Sequence, residues 1–423
     1  MIYLAYALAS GRGRSAADPG TIARLQLRRL RALVRHAWER VPLHRERLAA
    51  AGVDPDALRT LDDVRRIPTT AKALLRDAPL AALVTRGFDP ARGDVVRTSG
   101  STGAPLAIVR GPREVDWHRA AGLRILRERG FRWTDRTFEI RALPGPSFFA
   151  QRLGLAPKHW ASILDPPATL ARALLGYRPH VVCGTPSVLH ELAETLLAWG
   201  AVPMPPRIVI ADAEPLVPTT RAIVTRAFGT APTDVYGLVE LSNFAFECSA
   251  AAGLHVTADT HLVEVLDDAG APAAPGTAGR IVVTDLMART MPMLRYEAGD
   301  RAALATERCP CGRTSPRLVG LVGRAADAVV LADGRRLHWP WFHEAFARCA
   351  GLERYQVIQE DRARLRIRVR ARPAAWDSVV AALRVVLAEA VPADVRLDFE
   401  PWDAAPDDPA RKLRPVVSRV TTS

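Results

Sequence analysis

Apolar residues recur at helical spacing between positions 20 and 50 (Ile22, Leu25, Leu27, Leu30, Leu33, Val34, Ala37, Trp38), amid many arginines, and predict an amphipathic helix. From about 94 to 260 short apolar runs alternate with longer helical stretches. Val95-Val96, Phe138-Glu139-Ile140, Val181-Val182-Cys183 and Ile208-Val209-Ile210 read as strands, and 113–129, 168–176, 186–199 and 217–228 read as helices. Such alternation predicts an α/β sheet with helices on its faces. Between 253 and 306 the texture becomes strands divided by turns. Leu262 to Leu266 and Ile281-Val282-Val283 flank a loop rich in Ala, Pro and Gly at 270–279, which predicts a β-rich subdomain. Past Gly323-Arg324 come a hairpin at Asp333-Gly334, a helix at 340–349, alternation from Leu365 to Val369, a helix at 375–390 and a strand at 395–399. The chain is therefore expected to divide into a core domain, 1–325, and a small mobile α+β domain, 326–423.

Composition excludes more than it assigns. The chain has 423 residues, 48% of them hydrophobic and 24% charged, an ordinary globular balance. No run approaches the roughly 20 apolar residues of a membrane span, and the apolar opening from Met1 to Ala9 lacks a basic segment before it. A soluble cytoplasmic protein without a membrane partner is expected. The net charge of +13 comes largely from arginine, since Lys72, Lys158 and Lys412 are the only lysines. The arginines are spread along the chain rather than gathered with aromatics, so the sign fits anionic small molecules better than nucleic acid. Five cysteines in so long a chain argue against a disulfide scaffold.

Three short segments carry candidate chemistry. Thr98-Ser99-Gly100-Ser101-Thr102-Gly103 packs four hydroxyls and two glycines into six positions after a predicted strand. Glycines let backbone approach phosphate oxygens, and hydroxyls and amides donate to them. The Gly-Lys-Ser/Thr ending of a Walker loop is absent, and a solvated polar turn is the other reading. In Asp234-Val235-Tyr236-Gly237-Leu238-Val239-Glu240 a tyrosine ends a short strand and a glutamate follows four residues later, a ring to stack on a base and a carboxylate for magnesium. In Pro292 to Asp300 a Gly299-Asp300 turn aims a carboxylate that suits a ribose diol, or is simply a hairpin turn.

Together, and in this order, these segments resemble the adenylate-forming superfamily of acyl-CoA synthetases and adenylation domains, and more closely the phenylacetate-CoA ligase family. The likeness continues through Gly184-Thr185-Pro186-Ser187, Ala211 to Leu216, Cys248 to Val265, Thr284-Asp285-Leu286, Cys309 to Arg313, Gly323 to Asp327 and Lys412-Leu413-Arg414. The resemblance implies ATP- and magnesium-dependent activation of a carboxylic acid, aryl or arylacetic by family default, to an acyl-adenylate, followed by transfer to coenzyme A. Transfer to an amine or another acceptor, adenylyl transfer, and a non-catalytic nucleotide-binding role remain the alternatives, and homodimerisation is left open. It implies that Thr98, Ser99, Gly100, Ser101 and Gly103 cradle phosphates, that Glu240 with Thr102 binds magnesium, and that Tyr236, Gly237, Ala213 and Glu214 flank the adenine. Asp300 would take the ribose, Arg324 would lie near the nucleotide, Asp327 would be the hinge, and Lys412 would meet the α-phosphate. The acid pocket would lie among 145–150, 183–187, 211–214 and 236–244, with Phe148, Phe149, Phe244, Ala213 and Gly237 as candidate walls. Ala104 and Arg411 depart from the superfamily's usual Lys and Gly.

Cys248, His255, Cys309 and Cys311 form a separate set. Cys₃His is a closed ligand set for structural zinc, although Cys-x-Cys is tighter than the usual spacing; members of the resembled family carry zinc near this subdomain. Free thiols with a surface histidine are the alternative. Cys183 and Cys349 are expected to pack as small apolar side chains.

Overall fold

The computed structural model describes residues 17–97, 106–144, 151, 154–201, 204–322, 328–402 and 415–420. The amphipathic pattern of 20–50 forms two helices rather than one, α1 (Pro19–Arg40) and α2 (Pro42–Ala50). Pro42 cannot continue the hydrogen bonds of α1 but suits the first turn of α2, so the helix breaks at Val41. Two short helices, α3 (Lys72–Asp77) and α4 (Leu80–Leu83), then lead to the hairpin β1 (Asp94–Arg97) and β2 (Ala107–Arg110).

The α/β alternation folds as its periodicity predicts. It runs α5 (Pro112–Glu128), β3 (Thr137–Arg141), β4 (Lys158–Ser162), α6 (Pro167–Tyr177), β5 (Val181–Gly184), α7 (Pro186–Ala198), β6 (Ile208–Asp212), α8 (Pro218–Phe228) and β7 (Thr233–Leu238). Strands β4, β3, β5, β6 and β7 are parallel neighbours in that order. β5 and β6 are buried along their whole length, the expected state of a parallel strand covered on both faces. Phe138, Val182, Val209 and Ala211 pack with α6 and α7 on one face, while Val181, Cys183, Ile208, Ile210 and Val235 meet Ile125 of α5 on the other.

At β7 the sheet turns antiparallel. β8 (Ser242–Glu247), β9 (Leu254–Val256), β10 (His261–Leu266), β11 (Gly279–Asp285), β12 (Tyr296–Leu304) and β13 (Arg317–Val322) complete an 11-stranded sheet ordered β10-β11-β12-β13-β9-β8-β7-β6-β5-β3-β4. The β-rich subdomain is thus continuous with the α/β sheet. The chain then continues through β14 (Ala328–Val330), β15 (Arg336–His338), α9 (Trp339–Phe346), β16 (Leu352–Asp361), β17 (Arg364–Ala371), α10 (Trp376–Leu387), β18 (Arg396–Pro401) and β19 (Val416–Ser418). Its four-stranded sheet, β18-β17-β16-β19, has its own core of Phe342, Phe346, Val357, Ile367, Val379 and Leu383, which makes it a separate α+β region. Among the described residues no helix is long and apolar enough to cross a membrane.

Candidate nucleotide and metal sites

β7 carries Tyr236 to the boundary between the parallel and antiparallel halves. Its ring packs edge-on against Phe244 with centroids 4.8 Å apart, and its hydroxyl donates to Asp300 Oδ2 at 2.7 Å. Both residues are buried. The two groups that the sequence set around one nucleotide, 64 positions apart, are therefore bonded to each other. Asp300 does not sit in a hairpin turn. It lies inside β12, where Gly299 at φ +81° lets the backbone kink and the strand continue, and pairing with β13 slips just beyond.

Glu240 occupies the turn between β7 and β8 and is 5% exposed. Its Oε1 accepts the Tyr296 hydroxyl at 2.8 Å and pairs with Lys72 Nζ at 3.0 Å. Lys72 reaches it because Thr70 pairs with the start of β12: Thr70 N donates to Arg295 O at 2.8 Å, and Glu297 N donates to Thr70 O at 3.0 Å. Nothing near Lys72 in the sequence resembles a site motif, so local reasoning missed it. Carboxylates buried without such donors are costly, and these tyrosines and this lysine supply the pair with hydrogen bonds.

The other expected residues divide. Ala213 takes the left-handed conformation at φ +67°, a strained turn for a residue with a Cβ, at the end of β6. Glu214 Oε2 accepts the backbone N–H of Ser187 at the start of α7 at 3.0 Å, a carboxylate at a positive helix end. Gly237 is required by packing, because a Cβ there would stand 2.5 Å from Asn243 Oδ1 and 2.6 Å from Ser242 O. Phe244 is fully buried beneath Tyr236, so it is a core residue and not a pocket wall. Cys183 and Cys349 are buried as expected. Thr98, Ser99, Gly100, Ser101, Thr102, Gly103, Ala104, Phe148, Phe149, Arg324, Asp327, Arg411 and Lys412 lie outside the described residues.

The cysteine and histidine set does converge. The ligand atoms of Cys248, His255, Cys309 and Cys311 all lie within 4.8 Å of one another. Two turns and one strand pairing assemble them. Ala251 N donates to Cys248 O, Gly312 N donates to Cys309 O, and β13 pairs with β9 so that His255 faces the second turn. Cys248 Sγ is 3.5 Å from Cys309 Sγ, and Cys311 Sγ is 3.4 Å from His255 Nε2. His255 Nδ1 is 3.0 Å from Ser315 Oγ, the outer partner that fixes a ligating imidazole. Burial, then Arg313 and Arg317, lower its pKa to about 4, so it is neutral and able to coordinate. Burial pushes the Cys248 thiol up to about 11; at Cys311 burial is outweighed by bonds from Arg313 and the other thiols, which bring it down to about 7. The donor set fits a tetrahedral zinc.

No family model matches the chain. The phenylacetate-coenzyme A ligase of Thermus thermophilus is 32% identical over 321 residues, covering 73% of this chain and 71% of the relative. The chain belongs to the phenylacetate-CoA ligase family. The enzyme of the same name from Escherichia coli strain K12 is 29% identical over 325 residues, 73% of this chain and 72% of that one. A 2-hydroxyisobutyryl-CoA ligase crystallised in its postadenylation state with an acyl-AMP superposes with a TM-score of 0.77 at 22% identity, over 96% of this chain and 91% of that one, and shares the fold. The chain is thus an AMP-forming acid–thiol ligase by family, as its motifs led us to expect.

Proposed function

We propose that this ligase activates an aryl or arylacetic acid with ATP and joins it to coenzyme A, and that the residues expected from the motifs carry the two half-reactions. The observation that supports this most directly is that two hydrogen bonds tie the expected carboxylates to tyrosines far apart in sequence, Tyr236 of β7 to Asp300 of β12 and Tyr296 of β12 to Glu240 in the turn after β7. A carboxylate is a poor electrophile until one of its oxygens joins a good leaving group. In the first step the acid's oxygen attacks the α-phosphorus of ATP and pyrophosphate leaves. In the second the coenzyme A thiol, losing its proton, attacks the acyl carbon and AMP leaves.

Asp300, held by the Tyr236 hydroxyl, receives the ribose diol, and the backbone of 211–214 with Tyr236 borders the adenine. Thr98 to Gly103 cradle the phosphates, Arg324 lies near the nucleotide, and Lys412 neutralises charge on the α-phosphate during attack, a task that suits a mobile point charge. Glu240 and Thr102 would hold magnesium, which when bound offsets phosphate charge. Lys72 and Tyr296 keep Glu240 oriented through its Oε1. Asp327 serves as the hinge between a core domain, 1–325, and a C-terminal domain, 326–423, and Cys248, His255, Cys309 and Cys311 hold a structural zinc. The enzyme acts in the cytoplasm.

The test is pyrophosphate release from ATP and magnesium over a panel of aryl, arylacetic and aliphatic acids, with and without coenzyme A. Acid-dependent release in wild type, lost by at least about 10²-fold in Lys412→Ala, is the expected result. A thioester formed only with coenzyme A identifies the acceptor. Release without thioester would transfer the assignment to an amine or other acceptor, and bound ATP with no release from any acid would sink the activity.

A further inference from the structure

The parallel half of the sheet ends in a pair of opposite charges whose side chains neither the expected nucleotide contacts nor the metal set uses. Glu139 of β3 pairs with Cys183 of β5, and Cys183 pairs with Ile210 of β6. Arg141 and Asp212 each lie two residues further along, so they project from the same face. β5 ends at Gly184, one residue short of their level, and the two side chains bridge the gap it leaves. Arg141 Nη1 and Nη2 donate to Asp212 Oδ1 and Oδ2 at 2.5 and 2.7 Å. Glu139 Oε1 stands 3.9 Å from Arg141 Nε, and Lys158 Nζ of β4 lies 3.0 Å from Glu139 Oε2. Asp212 is 9% exposed, and the Arg141 side chain keeps 25% of its surface open.

This pair lies on the side of the sheet away from Tyr236. Asp212 pairs with Val235 of β7, which packs toward α5, so Tyr236, the next residue, points through the opposite face to Asp300. Ligands of open α/β sheets bind beyond the carboxyl ends of the parallel strands, where Arg141, Asp212 and the strained Ala213 stand. One face of that edge is set for the nucleotide; the other presents the ion pair.

The chemistry of the pair narrows what can rest against it. Its fork uses two of the five guanidinium N–H donors and part of the carboxylate's acceptor capacity. An apolar ring pressed there would strip water from the remaining polar atoms and replace it with nothing. A second carboxylate on the ligand would meet Asp212 and Glu139, and an ammonium would meet Arg141 and Lys158. A neutral hydroxyl satisfies both partners, donating its O–H to Asp212 and accepting from Arg141.

We propose that Arg141 and Asp212 are specificity-determining residues that select a hydroxy-substituted carboxylic acid over the same acid without its hydroxyl. The proposal rests on the acid-activating reading above. It is tested by pyrophosphate release with matched acids that differ by one hydroxyl: phenylacetic against the ring-hydroxylated phenylacetic acids and mandelic acid, and benzoic against the hydroxybenzoic acids. The expected result is kcat/KM at least about tenfold higher for the best hydroxylated member than for its parent, because a site built around a substrate hydroxyl rejects the analogue that leaves it unpaired. In the double variant Arg141→Met/Asp212→Ala, which removes both charges together, that ratio should fall below about threefold. A parent acid used as well as its hydroxylated forms, or a ratio unchanged in the double variant, would overturn the proposal and leave the activity standing. No release with any acid would overturn the activity and the proposal with it. Should the double variant not fold, binding of matched acyl-sulfamoyl adenosines to the wild-type protein decides the matter: about tenfold tighter binding of the hydroxylated member supports the pair's role, and equal binding refutes it.

Discussion

Asp300 and Glu240 on one side, and Cys248, Cys309 and Cys311 on the other, are served by the same antiparallel half of the sheet, yet they satisfy their polar atoms in opposite ways. Each carboxylate receives a tyrosine hydroxyl from a non-adjacent strand of the sheet, and Glu240 adds the Lys72 ammonium. The thiols mainly face one another and His255. The first arrangement is organised by the protein before any ligand arrives; the second gathers four donors that a cation would complete. That is the difference expected between a site that binds and releases substrate and one that holds its ligand as part of the fold. Glu240→Gln should break this contrast from the side of chemistry. The amide still accepts the Tyr296 hydroxyl but loses the charge that would hold magnesium. Pyrophosphate release is expected to fall by on the order of 10²-fold or more, with the unfolding temperature changed by little. A variant retaining a third of wild-type activity would remove Glu240 from the metal role.

From the other side, removing the cation should act on stability. The purified protein is expected to carry zinc, about one per chain by elemental analysis, and to lose at least roughly 5 °C of unfolding temperature on chelation. Cys309→Ser should lose both the metal and that stability while the folded fraction keeps a near-normal KM for ATP. A zinc-free wild type with an unchanged unfolding temperature under chelator would reduce the cluster to packed thiols.

The boundaries of these sites show which information was local. The helix expected at 113–129 is Pro112–Glu128 and that at 168–176 is Pro167–Tyr177, because their apolar spacing is helical and prolines stand at their starts. β4 gave no signal: Lys158–Ser162 is an edge strand with one buried residue, so nothing alternates. β12 looked like a turn because Gly299-Asp300 interrupts it, and only pairing with two neighbours reveals a kinked strand. Among the candidate residues, Tyr236, Glu240 and Asp300 were legible as candidates because motif order brings its own context. Lys72 and the Arg141–Asp212 pair were not, since they depend on a distant pairing at Thr70 and on register across β5.

The finest distinction lies within the carboxylate network itself. If Asp300 exists to receive a ribose diol, the Tyr236 hydroxyl is its partner while the nucleotide is away, and the two sources of hydrogen bonds should compensate. In Tyr236→Phe the ring packing on Phe244 is retained and one donor to a buried carboxylate is lost, a cost of about 1–3 kcal/mol in the free protein. Bound ATP would return donors to Asp300 from its ribose hydroxyls. The variant should therefore unfold a few degrees below wild type without ligand and gain more from saturating ATP than wild type does, because a ligand bound to the folded state stabilises it according to its affinity. Differential scanning fluorimetry with and without ATP measures both quantities. An ATP-induced rise equal to or smaller than that of wild type would show that Asp300 does not face the ribose, and would make the Tyr236–Asp300 bond a purely structural tie between β7 and β12.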